Sequence, residues 1–117
     1  MDTKWWGPGG WVFLHSIAYN YAKEPTSEQR FYYHQLFTNL QYTLPCGNCR
    51  ENYKKHLREM PIEPYLVSRE ALTAWIYQIH NKVNASIKPA KSNIPQKSKA
   101  EIDKIYEQKR KTEAIKQ

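Results

Sequence analysis

A chain of 117 residues with a formal net charge of +7 is long enough to bury one hydrophobic core and not two. No apolar run approaches a membrane span, and the start, Met1-Asp2-Thr3-Lys4-Trp5-Trp6, has no secretory stretch, so a soluble chain without a membrane span is expected. From Lys88 onward nine Lys/Arg stand against four Asp/Glu, whereas residues 1–87 carry nine against seven; a basic tail of this kind is more often a solvated helix face than a nucleic-acid site, and no nucleic-acid partner is expected.

Five helical stretches are predicted, and no strand. The first runs from about Gly10 to Lys23, with Trp11, Leu14, His15, Ala18 and Ala22 on one face at helical spacing. Pro25 breaks the chain, and Thr26-Ser27-Glu28-Gln29 is a capping-box pattern opening a second helix striped by Tyr33, Leu36, Phe37, Leu40 and Leu44. After Pro45 a third helix begins at Cys46-Gly47-Asn48-Cys49 and turns Tyr53, Leu57 and Met60 inward. Pro61 and Pro64 make the next connection. Ser68 is placed to cap a fourth helix, whose stripe is Leu72, Ile76, Ile79, Val83 and Ile87. A polar, proline-punctuated linker over 89–97 follows, and Ser98-Lys99-Ala100-Glu101 is a second capping box before a charged segment with Ile102, Ile105 and Tyr106 as its apolar side. The pattern predicts an all-α fold: a four-helix bundle over 1–88, the linker 89–97, and a short fifth helical element with a basic tail over 98–117 laid across it.

Cys46 and Cys49 are the only cysteines. A bridge between cysteines three positions apart closes too small a loop to remove much unfolded-state entropy, which points to redox chemistry or metal binding and away from a structural staple. At a helix N-terminus, unpaired N–H groups and the helix dipole stabilise a Cys46 thiolate, the form that attacks disulfides. A zinc site needs four ligands, and histidines at 15, 34, 56 and 80 lack the H-x₃₋₅-H spacing that would complete one, so no metal is expected. A flavin-free thiol carrier usually brings a βαβ pattern, which is not seen here. The alternatives are a zinc-binding helical module and a basic protein or nucleic-acid adaptor with an incidental CxxC. Two other clusters carry polar groups on inward faces: Trp11 with His15, and His80 with Asn84. Taken singly, each is more often core; together they cost stability unless a partner meets them, and a polar aromatic ligand between the helices would supply one.

Three motifs in order, Trp6-Gly7-Pro8-Gly9-Gly10-Trp11 running on to Leu14-His15, Pro45-Cys46-Gly47-Asn48-Cys49, and His80-Asn81-Lys82-Val83-Asn84, resemble the Erv/ALR family of FAD-linked sulfhydryl oxidases. The resemblance implies a helical bundle cradling FAD, and it agrees with the lack of a G-x-G-x-x-G fingerprint in a chain whose four glycines stand at 7, 9, 10 and 47. It implies that Cys49 lies against the flavin ring and that Cys46 is the outer sulfur attacked by substrate. It also implies that Trp11, His15, His80, Asn84 and the backbone around Gly7 line FAD, with Tyr19 one turn past His15 able to join them. Tyr106 resembles the aromatic placed over the adenine end. Lys88 is assigned to a phosphate, although the usual lysine of the family falls one position later, where this chain has Pro89. The implied activity forms disulfides in protein thiols, with oxygen as electron acceptor and hydrogen peroxide as product.

Many cellular relatives carry a further shuttle disulfide and a pair tying down the last helix; with two cysteines this chain has neither. The minimal form resembles the oxidases of large cytoplasmic DNA viruses. That implies a protein dithiol substrate, such as a thioredoxin-like CxxC relay, and residence in host cytoplasm or virion, the mitochondrial intermembrane space being the alternative. A homodimer through the first two helices is also implied.

Overall fold

The computed structural model describes residues 1–86 and 97–116, with side chains as far as Lys111. It contains α1 (Thr3–Tyr19), α2 (Ser27–Thr43), α3 (Gly47–Glu59), a short 3₁₀ helix (Glu63–Val67), α4 (Arg69–Ser86) and α5 (Lys99–Lys116). Helix α1 packs on α4 and α5, α2 on α3 and the 3₁₀ helix, and α3 on α4. The result is the expected helical bundle with a fifth helix against its side.

The helix starts follow local chemistry. Thr26 Oγ1 accepts from Gln29 N–H at 3.1 Å while Gln29 Oε1 accepts from Thr26 N–H at 2.8 Å, closing the capping box. Ser68 Oγ accepts from Ala71 N–H at 3.0 Å, and Ser98 and Glu101 close a second box ahead of α5. Helix α1 departs from expectation at both ends. It begins at Thr3, seven residues before Gly10, because Asp2 caps it by accepting from Lys4 N–H at 2.9 Å. Pro8 therefore lies inside the helix, where it removes one i→i−4 hydrogen bond. It ends at Tyr19 and not at Lys23, which leaves Ala22 off the helix and drops Tyr21 into the core, its hydroxyl donating to the Leu66 carbonyl at 2.6 Å.

The core is built on α4. Leu72, Trp75, Ile76 and Ile79 are buried, and Trp75 meets Phe37 of α2 edge-on at 5.5 Å between centroids. Buried donors are satisfied across elements: Trp75 Nε1 donates to the Met60 carbonyl at 3.0 Å, and Tyr53 Oη to the Phe37 carbonyl at 2.6 Å. Three stripe positions differ from the reading: Leu36 and Ile105 are exposed, and Val83 is half-buried. Ile87, Lys88 and all of the expected linker but Lys97 lie outside the described residues.

Candidate functional site

Cys46 and Cys49 form a disulfide with Cα atoms 5.1 Å apart. Pro45 cannot enter the helix behind it, and the chain turns at Cys46, which becomes the N-cap of α3. Its Sγ accepts from Cys49 N–H at 3.2 Å, in the place a serine or aspartate oxygen normally takes. The surrounding turn is braced: Cys46 N–H donates to the Leu44 carbonyl at 2.8 Å, and Arg50 Nη1 donates to the same carbonyl at 2.6 Å. Both cysteines are half-buried. On reduction, the helix N–H groups aimed at Cys46 would stabilise its thiolate.

A second centre is assembled from α1, α4 and α5. The Trp11 ring stacks on His80 at 3.8 Å with the planes 9° apart, so residues from α1 and α4 share one aromatic face. His15 and His80 are joined through Nε2 and Nδ1 at 3.0 Å, one donating and the other accepting. Tyr106 of α5 stacks on Tyr19 at 4.9 Å and on His15 at 5.5 Å. The Tyr19 hydroxyl donates to Asp103, which also pairs with Lys99.

The electrostatics of this cluster favour neutral rings. Burial first, then the positive charges of a protonated His80 and of Lys99, push His15 down to about 4. Burial likewise brings His80 down to about 4. Burial, followed by the hydrogen bond and charge of Asp103, pushes the Tyr19 phenol well above its ordinary value. The buried Nδ1 of His15 has no hydrogen-bond partner in the protein. Flat rings, neutral imidazoles and an unpaired polar atom together can hold a planar ligand with polar edges.

The structure thus brings together Trp11, His15, Tyr19, His80 and Tyr106 of the residues singled out in the sequence. Asn84 is half-buried on α4, one turn past His80. Gly7 lies within α1, and a Cβ there would meet nothing within 4 Å. Lys88 is outside the described residues. Asp103 and Lys99 belong to the cluster although the sequence reading passed over them; their signal was spacing, since 99, 103 and 106 recur on one helical face. His56 was also missed. It is buried on α3, with Nδ1 3.6 Å from Glu59. Among the described residues no group of three or more His, Cys, Asp or Glu is placed to hold a metal ion.

The model of the Erv1 / Alr family matches residues 8–107, which take in the disulfide and every element of the aromatic cluster. The chain belongs to the Erv1 / Alr family. Among its members, a protein of Acanthamoeba polyphaga mimivirus named a probable FAD-linked sulfhydryl oxidase is 44% identical over 85 residues, 72% of this chain and 59% of that one. The mitochondrial FAD-linked sulfhydryl oxidase of Saccharomyces cerevisiae is 33% identical over 90 residues, 77% of this chain and 47% of that one. This chain therefore spans about half the length of the curated Erv1 / Alr relatives it matches. The crystal structure of the yeast Erv1 core superposes with a TM-score of 0.77 at 30% identity, covering 91% of this chain and 84% of that one. The structure described as the FAD binding domain of the same yeast protein gives a TM-score of 0.78 at 31% identity, over 91% and 94%. The Erv1 / Alr match accordingly extends into α5.

Proposed function

We propose that this chain is an FAD-dependent sulfhydryl oxidase that forms disulfides in protein thiols. The observation that carries the reading is a disulfide capping a helix, in a fold whose α1, α4 and α5 present a neutral aromatic and imidazole cluster. The residues present fit FAD: Trp11 and His80 offer flat surfaces, while His15 Nδ1 is a buried polar atom still lacking a partner. Trp11, His15, Tyr19, His80, Asn84, Tyr106 and the backbone around Gly7 would hold it, and Lys88 keeps its assignment to a phosphate from the family resemblance.

A substrate thiolate attacks Cys46 Sγ, forming a mixed disulfide and breaking the Cys46–Cys49 bond, with the electron pair leaving on Cys49 Sγ. A second substrate thiolate then attacks the substrate sulfur of that mixed disulfide, and Cys46 departs as a thiolate. The Cys49 N–H and the start of α3 stabilise that leaving group, which speeds its release. The substrate ends oxidised and the CxxC pair reduced. Bound FAD would supply the acceptor for this electron pair and the route to oxygen, with hydrogen peroxide as product. The neutral state of His15 and His80 leaves both imidazoles uncharged in the cluster, where the charge of Lys99 is paired with Asp103.

The partners that suit this reading are a protein dithiol, including a thioredoxin-like relay, and oxygen. In this reading the protein dithiol meets the disulfide at Cys46, which is half-buried. A homodimer is supported by the apolar side chains that α1 and α2 leave exposed, among them Trp5, Phe13, Phe31 and Tyr32. No helix among the described residues is long and apolar enough to cross a membrane, and host cytoplasm or virion suits the viral relative, with the intermembrane space suiting the mitochondrial one. Oxygen uptake in the presence of dithiothreitol tests the activity. The chain should consume oxygen and release peroxide in equal amounts, and an absence of uptake in FAD-loaded protein would reject the reading.

A further inference from the structure

Helix α5 has no covalent tie to the bundle, because both cysteines of the chain are engaged with each other. Its described contacts with α1 include three at Tyr19, from Lys99, Asp103 and Tyr106. The Asp103 carboxylate accepts from the Tyr19 hydroxyl of α1 and from Lys99 Nζ one turn earlier on α5. Lys99 Nζ also stands over the Tyr19 ring, 5.4 Å from its centroid, so the three groups close a loop between the helices. Three residues past Asp103, on the same face, Tyr106 lies on Tyr19 and His15.

Beyond Tyr106 the two helices part. A cavity of about 310 Å³ opens between them, lined by Phe13 and Ile17 on one side and by Lys109 and Arg110 on the other. The polar loop of Asp103, Tyr19 and Lys99 ties the first half of α5 to α1. Tyr19 is only 3% exposed while Asp103 is half-buried, so their hydrogen bond is partly shielded from water, and its charged acceptor makes it costly to lose.

From this geometry we infer that Asp103 is a positioning residue: by clasping Tyr19 and Lys99 it sets Tyr106 against His15 and forms the α5 wall of the cofactor slot. The inference rests on the flavin reading above, and it assigns to a hydrogen-bonded carboxylate the task of keeping the last helix seated.

The test uses the full chain, with Asp103→Ala, Asp103→Asn, Asp103→Glu, Tyr106→Ala and the Asp103→Ala/Tyr106→Ala double variant. FAD is titrated into each apoprotein by flavin fluorescence, and tryptic cleavage after Lys104 is timed without FAD. Asp103→Ala should weaken FAD binding about tenfold and speed the cleavage by a similar factor, the loss of one hydrogen bond to a charged group. Asp103→Asn keeps the shape and loses the charge, so it should fall between Ala and wild type and serves if Ala does not fold. Asp103→Glu should recover most of the affinity. The double variant should bind FAD no more weakly than Tyr106→Ala alone, because both changes remove the same wall. Wild-type affinity in Asp103→Ala and Asp103→Asn, unchanged cleavage, or losses that multiply in full in the double variant would overturn the inference. Failure of the wild-type chain itself to bind FAD would instead refute the flavin reading on which it rests.

Discussion

Acidification below pH 6.5 should loosen this protein through its buried histidines. His15 is faced by His80 from α4 and by Lys99 and Tyr106 from α5, none of which offsets a positive charge, and the cluster's carboxylate, Asp103, is already shared by Tyr19 and Lys99. A histidine held down to about 4 in the folded chain, against 6.5 when unfolded, binds fewer protons folded than unfolded between those values. Stability is therefore fully present above pH 6.5 and is lost as the pH falls towards 4. Between pH 7 and pH 5 the loss for His15 comes to about 2 kcal/mol. His80 acts in the same direction, discounted because it is only half-buried, which brings the pair to about 3 kcal/mol. At roughly 4 °C per kcal/mol, the flavin-free protein should melt about 10 °C lower at pH 5 than at pH 7. Circular dichroism melts at constant ionic strength measure this. A His15→Gln/His80→Gln double variant should lose most of the dependence and keep a residue from His56, whose pKa burial also lowers. Equal melting temperatures at the two pH values, or an undiminished fall in the double variant, would refute the reasoning.

Cys49→Ser should bind FAD and lose turnover, while Cys46→Ser should also be inactive but show long-wavelength charge-transfer absorbance from a Cys49 thiolate; visible spectra check this, and the opposite pattern would reverse the inner and outer assignments. Trp11→Ala and His80→Ala each break the α1–α4 stack and should lower bound flavin and melting temperature together, by about 2 kcal/mol in stability, measured by absorbance ratio and thermal melts. Trp75→Ala should cost about 4 kcal/mol in urea unfolding, since it empties the centre of the core and strands the Met60 carbonyl.

Helix starts were the most legible part of the fold, since Thr26, Ser68 and Ser98 announce themselves by side-chain chemistry that acts within four residues. The α4 stripe was equally plain, because Leu72, Ile76 and Ile79 face one core at a constant period. Helix α1 was not. Gly7-Pro8-Gly9-Gly10 reads as a breaker, and only the Asp2 cap with tertiary packing carries the helix through it. Its end was hidden for a similar reason: Tyr21 leaves helical spacing to reach the Leu66 carbonyl, a partner 45 residues away. In the site, Trp11, His15 and His80 stood out as polar and aromatic groups on inward faces. Asp103 did not, because a charged residue on a charged helix gains meaning only once α5 lies against Tyr19. The sulfur that caps α3 was legible as a motif, while its hydrogen bond from Cys49 N–H required the turn geometry.

The central claim is that electrons taken up at Cys46–Cys49 reach a bound flavin. Anaerobic addition of dithiothreitol to the purified, FAD-loaded protein tests it most directly. The flavin absorbance band should bleach, return on admitting air, and remain unbleached in Cys46→Ser and Cys49→Ser under the same conditions. A band that persists in the wild-type protein, or bleaches as fast in both serine variants, would contradict the account.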